Sequence, residues 1–475
     1  MTTSAEHYRP PINQIAFSVI DLQITEKWFR EGLGFLPAGG SQLLMSGPLA
    51  AIVQGVPGAA STCWWLIGRN PYFQLELFQF RRPMAKLMPG DARPCDIGYR
   101  RIGVWVADFD ATLKRLERFG SYPLADIQGQ RGQRRACVRN PDGVFVEILE
   151  EDPLPAAQRG EETQNCSAAV RSVTLSTPDV QASVDYFKAI SGQKPVPSGL
   201  HTAEHEALWG LAGASTKSAS FTCGSVMVEV VQYLTPLGKP WPQGYRICDQ
   251  GILNIAFGAR SKPHFNQVHQ RAMAFGARHN ARPIHVPGAG VVYVNDALGF
   301  SVEILWMGFQ FTERMFGFVE KPVGDRPRAD THSTQQSVYI AAPLNAVWAT
   351  LNDHNTMGDW IGFGNVKRIR DGMPLPNGRC AERLMKGAPG TVVEQVTGVE
   401  PQSTIRYRVV EGSPFVYHQG QIVVTPNGAG TQIDWTIRFR SKIPLLGGLF
   451  KLLLPGLLKN MLHKGLKPVA EKRFT

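Results

Sequence analysis

Four glutamates stand inside apolar, β-type runs: Glu76 in FQLELF, Glu147 in VFVEIL, Glu229 in VMVEVV and Glu303 in FSVEIL. A carboxylate in such a strand is costly unless it has a partner. Each must therefore face a donor, a cation, a shared proton or a ligand. Two such carboxyls at one site would raise one pKa and serve as a general acid and base. With amide and hydroxyl oxygens beside them they would suit a hard divalent cation. A further motif, H-T-A-E-H from His201 to His205, has the H-x-x-E-H spacing of inverted zinc peptidases, which on a helix turns both imidazoles one way. Here the run is short and follows the loop-like stretch P-S-G-L. Surface placement, or a place at the rim of a ligand cavity, suits His201 and His205 better than a metal.

The elements carrying the glutamates repeat. An apolar strand, a helix and shorter strands ending in the Glu-bearing run recur four times, starting at Ile12, Tyr99, Val170 and Ile252. Asp21, Asp108 and Asp179 precede the first three helices and Pro263 opens the fourth. Gly34, Gly120, Gly192 and Gly276 end them, the expected punctuation. Glu229 follows Glu76 by 153 residues, Glu303 follows Glu147 by 156, and Asn254 follows Arg101 by 153. The spacing predicts a βαβββ unit four times over. From Met307 to Ser333 the chain turns polar and rich in Pro, Gly and Arg, the composition of a linker. Beyond it, two-residue alternation through Thr391–Glu394, Ser403–Val409, Gly420–Thr425 and Thr431–Phe439 predicts a half-buried antiparallel sheet. After Pro455, the residues Leu458, Met461, Leu462, Leu466 and Val469 share one helical face.

The repeated unit resembles the vicinal oxygen chelate superfamily of glyoxalase I, bleomycin-resistance proteins and extradiol dioxygenases. That resemblance implies two paired-module domains, 10–152 and 166–310, joined by a linker at 153–165, each curled into an open cup. The family's metal-ligand positions would fall on Gln14, Glu76, Arg101 and Glu147 in the first cup, and on Ser172, Glu229, Asn254 and Glu303 in the second. A guanidinium is always charged and only donates, so Arg101 replaces a metal in the first cup. It would be an anchor for a polar ligand or one member of an internal ion pair. In the second cup the resemblance implies Glu229 and Glu303 as catalytic acid and base beside Asn254, or a divalent metal held with help from Ser172 and Asn254. Arg101, Glu76, Glu147, Gln14, Ser172 and His205 would bind substrate. His285 and Tyr293 lie near the last strands of the second domain and could line its cup.

After a linker at 311–333, residues 334–475 resemble the START/Bet v 1-like polyketide cyclases and lipid-transfer domains. The resemblance rests on I-A-A-P-x-x-x-V-W from Ile340, the Asp353 to Trp360 stretch, and T-x-x-D-W ending at Trp435. It implies a curved sheet gripping a long C-terminal helix around an apolar cavity. Asp353, His354, Glu382, Arg383, Tyr407, Tyr417 and His418 are the candidate polar residues, and strand alternation lets only one of the last two point inward. The fold class expected for the whole chain is α+β.

At 475 residues the chain is too long for one core. Its net charge of +11 favours anionic ligands, an acidic partner or a membrane surface. No basic run interleaves with aromatics, and no nucleic-acid module is present, so nucleic acid is not an expected partner. Seven dispersed cysteines without a C-x-x-C pair suggest a reduced, cytoplasmic chain. The N-terminus lacks the apolar stretch of a signal peptide. The functional expectation is an enzyme acting on a hydrophobic, oxygenated small molecule (a polyketide, terpenoid, steroid or aromatic catabolite) by isomerase, cyclase or lyase chemistry. Its rivals are a metal-dependent oxygenase or lyase and a non-catalytic binding or resistance protein. The cofactor is left open: the second cup could hold a divalent metal, and the first is not expected to. The lysine-bearing C-terminal helix is the candidate for peripheral membrane contact. The sequence leaves oligomeric state open.

Overall fold

The computed structural model describes residues 8–41, 46–48, 51, 54–328, 332–387, 390–443 and 446–474. The chain divides into two compact units, one of Met1–Met88 with Ala92–Pro327 and one of Pro89–Asp91 with Arg328–Thr475.

The first unit contains the four repeated modules. Their opening strands are Ile12–Ser18, Gly98–Val106, Ala168–Ser176 and Gly251–Ala259, and their closing strands are Gln74–Arg82, Phe145–Leu149, Val226–Thr235 and Ser301–Met307. The helix after each opening strand starts on a side-chain cap. Asp21 accepts from the N–H groups of Gln23 and Ile24, Asp108 from Ala111, Asp179 from Ala182, and Ser261 from His264. Each cap satisfies a helix donor that would otherwise be orphaned. Between helix and closing strand, one strand shrinks to an isolated bridge in the second module (Gln128 with Arg135) and in the third (Val196 with Ser220).

The modules do not pair in chain order. The opening strand of the first runs antiparallel to that of the fourth, with Gln14 opposite Ala256 and Ala16 opposite Asn254. The second pairs likewise with the third, with Gly103 opposite Ser172 and Arg101 opposite Thr174. Each opening strand lies parallel to its own closing strand, which sets Ala16 beside Glu76, Ala256 beside Glu303, Gly103 beside Glu147 and Thr174 beside Glu229. The first and fourth modules build a nine-stranded sheet and the second and third a six-stranded one. The cups therefore do not follow the expected division into 10–152 and 166–310. Hydrophobic period defines a module, but all four opening strands offer equivalent edges, so it does not choose the partner.

The first expected linker, and the second as far as Pro327, are packed within this unit. In the first, Glu162 pairs with fully buried Arg171, which bonds Asp152 at 2.7 Å as well. In the second, Phe316 and Phe318 pack into the apolar cluster around Ala256, Leu305 and Met307. The N–H of Lys321 donates to the carbonyl of Pro37 at 2.8 Å, and Arg326 pairs with Glu26 at 2.6 Å.

The second unit is a seven-stranded antiparallel sheet that starts at His332–Ile340, continues through Gly430–Ser441 and Phe415–Asn427, and ends at Asn365–Arg370. It grips the C-terminal helix Leu446–Asn460 and its continuation through Met461–Leu466 to Lys467–Phe474. Leu458, Leu462, Leu466 and Ala470 pack against Trp360, Tyr407, Trp435 and Phe439. This is the helix-grip architecture expected from the alternation and the tail.

Candidate functional site

The register of the nine-stranded sheet puts Gln14, Glu76, Asn254 and Glu303 on one face. Three of them meet. The Gln14 Nε2–H group donates to Glu76 at 2.9 Å and to Glu303 at 2.7 Å, while its Oε1 accepts from Gln74 at 2.6 Å. The Trp65 indole donates to Glu76 at 2.9 Å, and the Cys63 thiol lies 3.4 Å from the same oxygen. Tyr293 stands cross-strand from Glu303 and hydrogen bonds to it. Both carboxyls are buried. Among the described residues, no Lys, Arg or His pairs with either.

Burial pushes Glu76 up to about 7, against the hydrogen bonds from Trp65 and Cys63. Burial and the charge of Glu76 push Glu303 well above the usual carboxylate range. Like charges this close do not both ionise, so the pair holds one proton between them. Above them is a cavity of about 130 Å³. Its walls are apolar, from Trp65, Ile284, Val291, Leu305, Met307 and Phe316, and its polar floor is Gln14, Gln74, Glu76, Tyr293 and Glu303. Asn254 is fully buried on the same face, with neither amide atom hydrogen bonded among the described residues.

The resemblance drawn from the sequence raises the question of a divalent metal at this face. Gln14 instead fills the bridging position with a donor, because its nitrogen contacts both carboxyls and its oxygen is taken by Gln74. The cavity lining includes no histidine, and no group of three His, Cys, Asp or Glu among the described residues is placed to hold an ion. As arranged, these side chains fit a shared proton and not a cation.

The six-stranded sheet gathers Arg101, Glu147, Ser172 and Glu229 instead. Arg101 lies 3.5 Å from both Glu147 and Glu229, and its guanidinium sits 3.2 Å from the ring centre of Trp209. Arg135 also pairs with Glu147. Glu229 accepts from Thr174 at 2.6 Å and from Ser198 at 2.7 Å. His201 bonds Glu206 at 2.9 Å and lies 3.6 Å from Glu229. Burial opposes the charge on Glu229, but His201, Arg101 and Thr174 outweigh it and hold the carboxyl well below its usual range. Burial likewise opposes the charge on His201, and Glu206 and Glu229 overcome it, raising its pKa. The face is a closed ion-pair cluster, plugged by Trp209 and His201.

Several expectations are corrected here. Glu229 and Glu303 do not meet; Glu303 is joined by Glu76. Ser172 does not join Asn254, so the metal set expected for the second cup is divided between two sheets. Arg101 does replace a cation, but between Glu147 and Glu229 rather than Glu76 and Glu147. His201, not His205, enters the cluster. His205 lies at its edge, its pKa pushed down to about 4 by burial and Arg135. Tyr293 lines the open cup, whereas His285 contacts Trp306 at 3.4 Å and is not among the lining residues. Cys63, Trp65 and Gln74 were not singled out. Strand period 2 along ASTCWWLI does put Cys63 and Trp65 on one face, and the register then sets Trp65 against Glu76.

The second unit encloses another cavity of about 130 Å³, between the sheet and the helix Leu446–Asn460. Glu394, Tyr407, Ser413 and His418 are among its polar lining. Buried Arg383 bonds Glu394 at 2.8 Å, and the Trp435 indole donates to the Tyr407 hydroxyl at 3.0 Å. Burial pushes His418 down to about 4. Of the residues proposed from sequence, Tyr407 and His418 reach this cavity. Tyr417 bonds Gln419 instead, Glu382 bonds Arg370 and Gln395, and Asp353 holds Thr356.

Residues 331–472 match the family model described as polyketide cyclase/dehydrase and lipid transport. No curated protein matches the chain in sequence. Glyoxalase I from Zea mays is similar in structure at 14% identity, over 62% of this chain and 92% of that one, with a TM-score of 0.41. A putative dioxygenase from Bacillus subtilis is similar at 15% identity, over 66% of this chain and 93% of that one, with a TM-score of 0.46. A START superfamily protein from Mycobacterium smegmatis is similar at 16% identity, over 30% of this chain and 99% of that one, with a TM-score of 0.27. Glyoxalase- and dioxygenase-type structures are thus among those similar to this chain, and the polyketide cyclase/dehydrase model falls on its C-terminal unit.

Proposed function

We propose that the cup of the first and fourth modules is the catalytic centre of an enzyme acting on a hydrophobic, oxygen-bearing small molecule by acid/base chemistry. The observation that carries this reading is the pair Glu76 and Glu303. Both are buried, both are bonded by one amide group, and together they floor an apolar cavity.

Glu76 receives three donors, from Gln14, Trp65 and Cys63. These favour its ionised form, which leaves the shared proton on Glu303. Glu76 is then the base and Glu303 the acid. A ligand carbonyl over the floor would accept from Glu303, while Glu76 removes a proton from the carbon beside it. Return of that proton to a different atom gives isomerisation; loss of a leaving group gives lyase chemistry. Tyr293, which lines the cavity, is a donor for a developing oxyanion, whereas Asn254 is buried on the same face outside the lining. The second unit's cavity binds the hydrophobic ligand. The compartment is the cytoplasm, where seven free thiols stay reduced.

The test is solvent-deuterium exchange into enolisable apolar ketones of one-ring size, followed by mass spectrometry. Exchange should fall at least about 100-fold in Glu303→Gln and in Glu76→Gln, with binding retained. Full exchange in both variants would remove the assignment. So would a stoichiometric divalent metal that the purified chain keeps and both variants lose.

A further inference from the structure

We infer that the helix Leu446–Asn460 is a docking element that rests the second unit on an anionic lipid surface, with the cavity directly behind it. The helix is apolar on two sides. Leu454, Leu458 and Met461 wall the cavity. Leu449, Leu452, Leu453 and Leu457 point away from the core and are 49%, 78%, 59% and 48% exposed. Their spacing of i, i+3, i+4 and i+8 places them in one arc of the helix. Ile443, just before the helix, is 58% exposed. A helix that only closed a cavity would carry polar residues on its outer side. A contiguous exposed apolar strip marks a surface that meets something.

Charge selects the occupant. From Trp435 to Ala470 the sequence has no Asp or Glu. Lys442, Lys451, Lys459 and Lys464 are exposed along the same segment. A second copy of the same face would bring lysine against lysine, with no carboxylate on the segment to meet them. An anionic bilayer offers hydrocarbon for the leucines and phosphate for the ammonium groups at one boundary. The helix does not cross: no helix among the described residues is long and apolar enough, and Lys451, Pro455 and Lys459 interrupt this one. It lies in the interface. Leu457 is exposed outside and also lines the cavity, so one layer of side chains separates lipid from cavity. A hydrophobic ligand could pass between the two without crossing bulk water.

The full-length chain should co-sediment with vesicles of phosphatidylcholine mixed with phosphatidylglycerol, and only weakly with phosphatidylcholine alone. Leu452→Glu with Leu453→Glu should cut the bound fraction about tenfold, and Lys451→Glu with Lys459→Glu should weaken it and remove its salt dependence. Both pairs lie on the exposed face, so the circular dichroism spectrum and melting temperature should stay unchanged. Absence of vesicle binding at low salt would overturn the proposal. So would binding indifferent to the leucine pair, or a dimer in solution that the leucine pair converts to monomer.

Discussion

Glu76 and Arg101 sit in related modules and have opposite consequences. Around Glu76 the positive charge is missing, and burial stores a proton between two acids. Around Arg101 a guanidinium lies 3.5 Å from each of two buried acids. The difference is measurable as stability against pH. Glu76 titrates near 7 when folded against an ordinary 4.5. The folded chain therefore keeps a proton that the unfolded chain loses above about pH 4.5. This stabilisation, on the order of 3 kcal/mol, is fully present below that pH and is lost as pH rises through 7. The variant carrying Glu76→Gln and Glu303→Gln should melt higher than the parent at pH 8 and show a flatter melting profile from pH 5 to 8. In the other cup, Arg101→Met should cost about 3–5 kcal/mol in denaturant titrations, because the cation shared by two buried carboxyls is lost and, among the described residues, Glu147 keeps only Arg135 and Glu229 only His201 as counter-charge. Adding Glu147→Leu and Glu229→Leu should restore most of that loss. Sequence reading identified Arg101 as the cation-substitute from the ligand position the family resemblance gave it and from its fixed charge. It could not decide which carboxylates Arg101 faces, because that depends on sheet pairing.

Elements explain why some candidates reached a site and others did not. The caps Asp21, Asp108 and Asp179 were legible because capping is local. His201 and His205 were equivalent in spacing, yet only His201 turns into the ion-pair cluster, since the helix begins between them at Ala203. Glu394 sits in a run whose alternation predicts a half-buried strand without saying which residues face inward, and its buried partner Arg383 lies on the neighbouring strand. The expected second linker is the clearest case. Its polar composition concealed Phe316 and Phe318, which hold it over the open cup. Gly317 makes that path possible: its φ is +85°, and an added Cβ would lie 2.4 Å from the Trp65 indole. Gly317→Ala should therefore destabilise the first unit by about 1–3 kcal/mol. By displacing Trp65 it should also weaken a hydrogen bond to ionised Glu76 and move the alkaline loss of stability to higher pH. Parallel melts of both proteins across pH 6 to 9 would show the two effects separately.

At the scale of the molecule, the four-module count, the α+β class and the helix-grip domain were legible because each follows from periodicity within one segment. The cups were not, because a cup forms between segments. Neighbours in sequence are usually neighbours in space, and that default assigns the wrong partners here. The opening strand of the first module finds its partner in the fourth, across more than two hundred intervening residues. Cutting the chain between Gly160 and Glu161 distinguishes the two arrangements. If modules paired in order, residues 8–160 would fold alone into a complete cup. With the pairing observed, that fragment has two opening strands and the antiparallel partner of neither. Each would expose a long, flat, apolar edge, a template for association. Residues 8–160 produced alone should be aggregated or lack cooperative melting, and residues 161–327 should behave likewise. Produced together, the two fragments should co-purify as a heterodimer with one cooperative transition. A soluble, cooperatively melting 8–160 fragment would disprove the crossed pairing. It would also separate Glu76 from Glu303 and dismantle the acid pair on which the proposed chemistry depends.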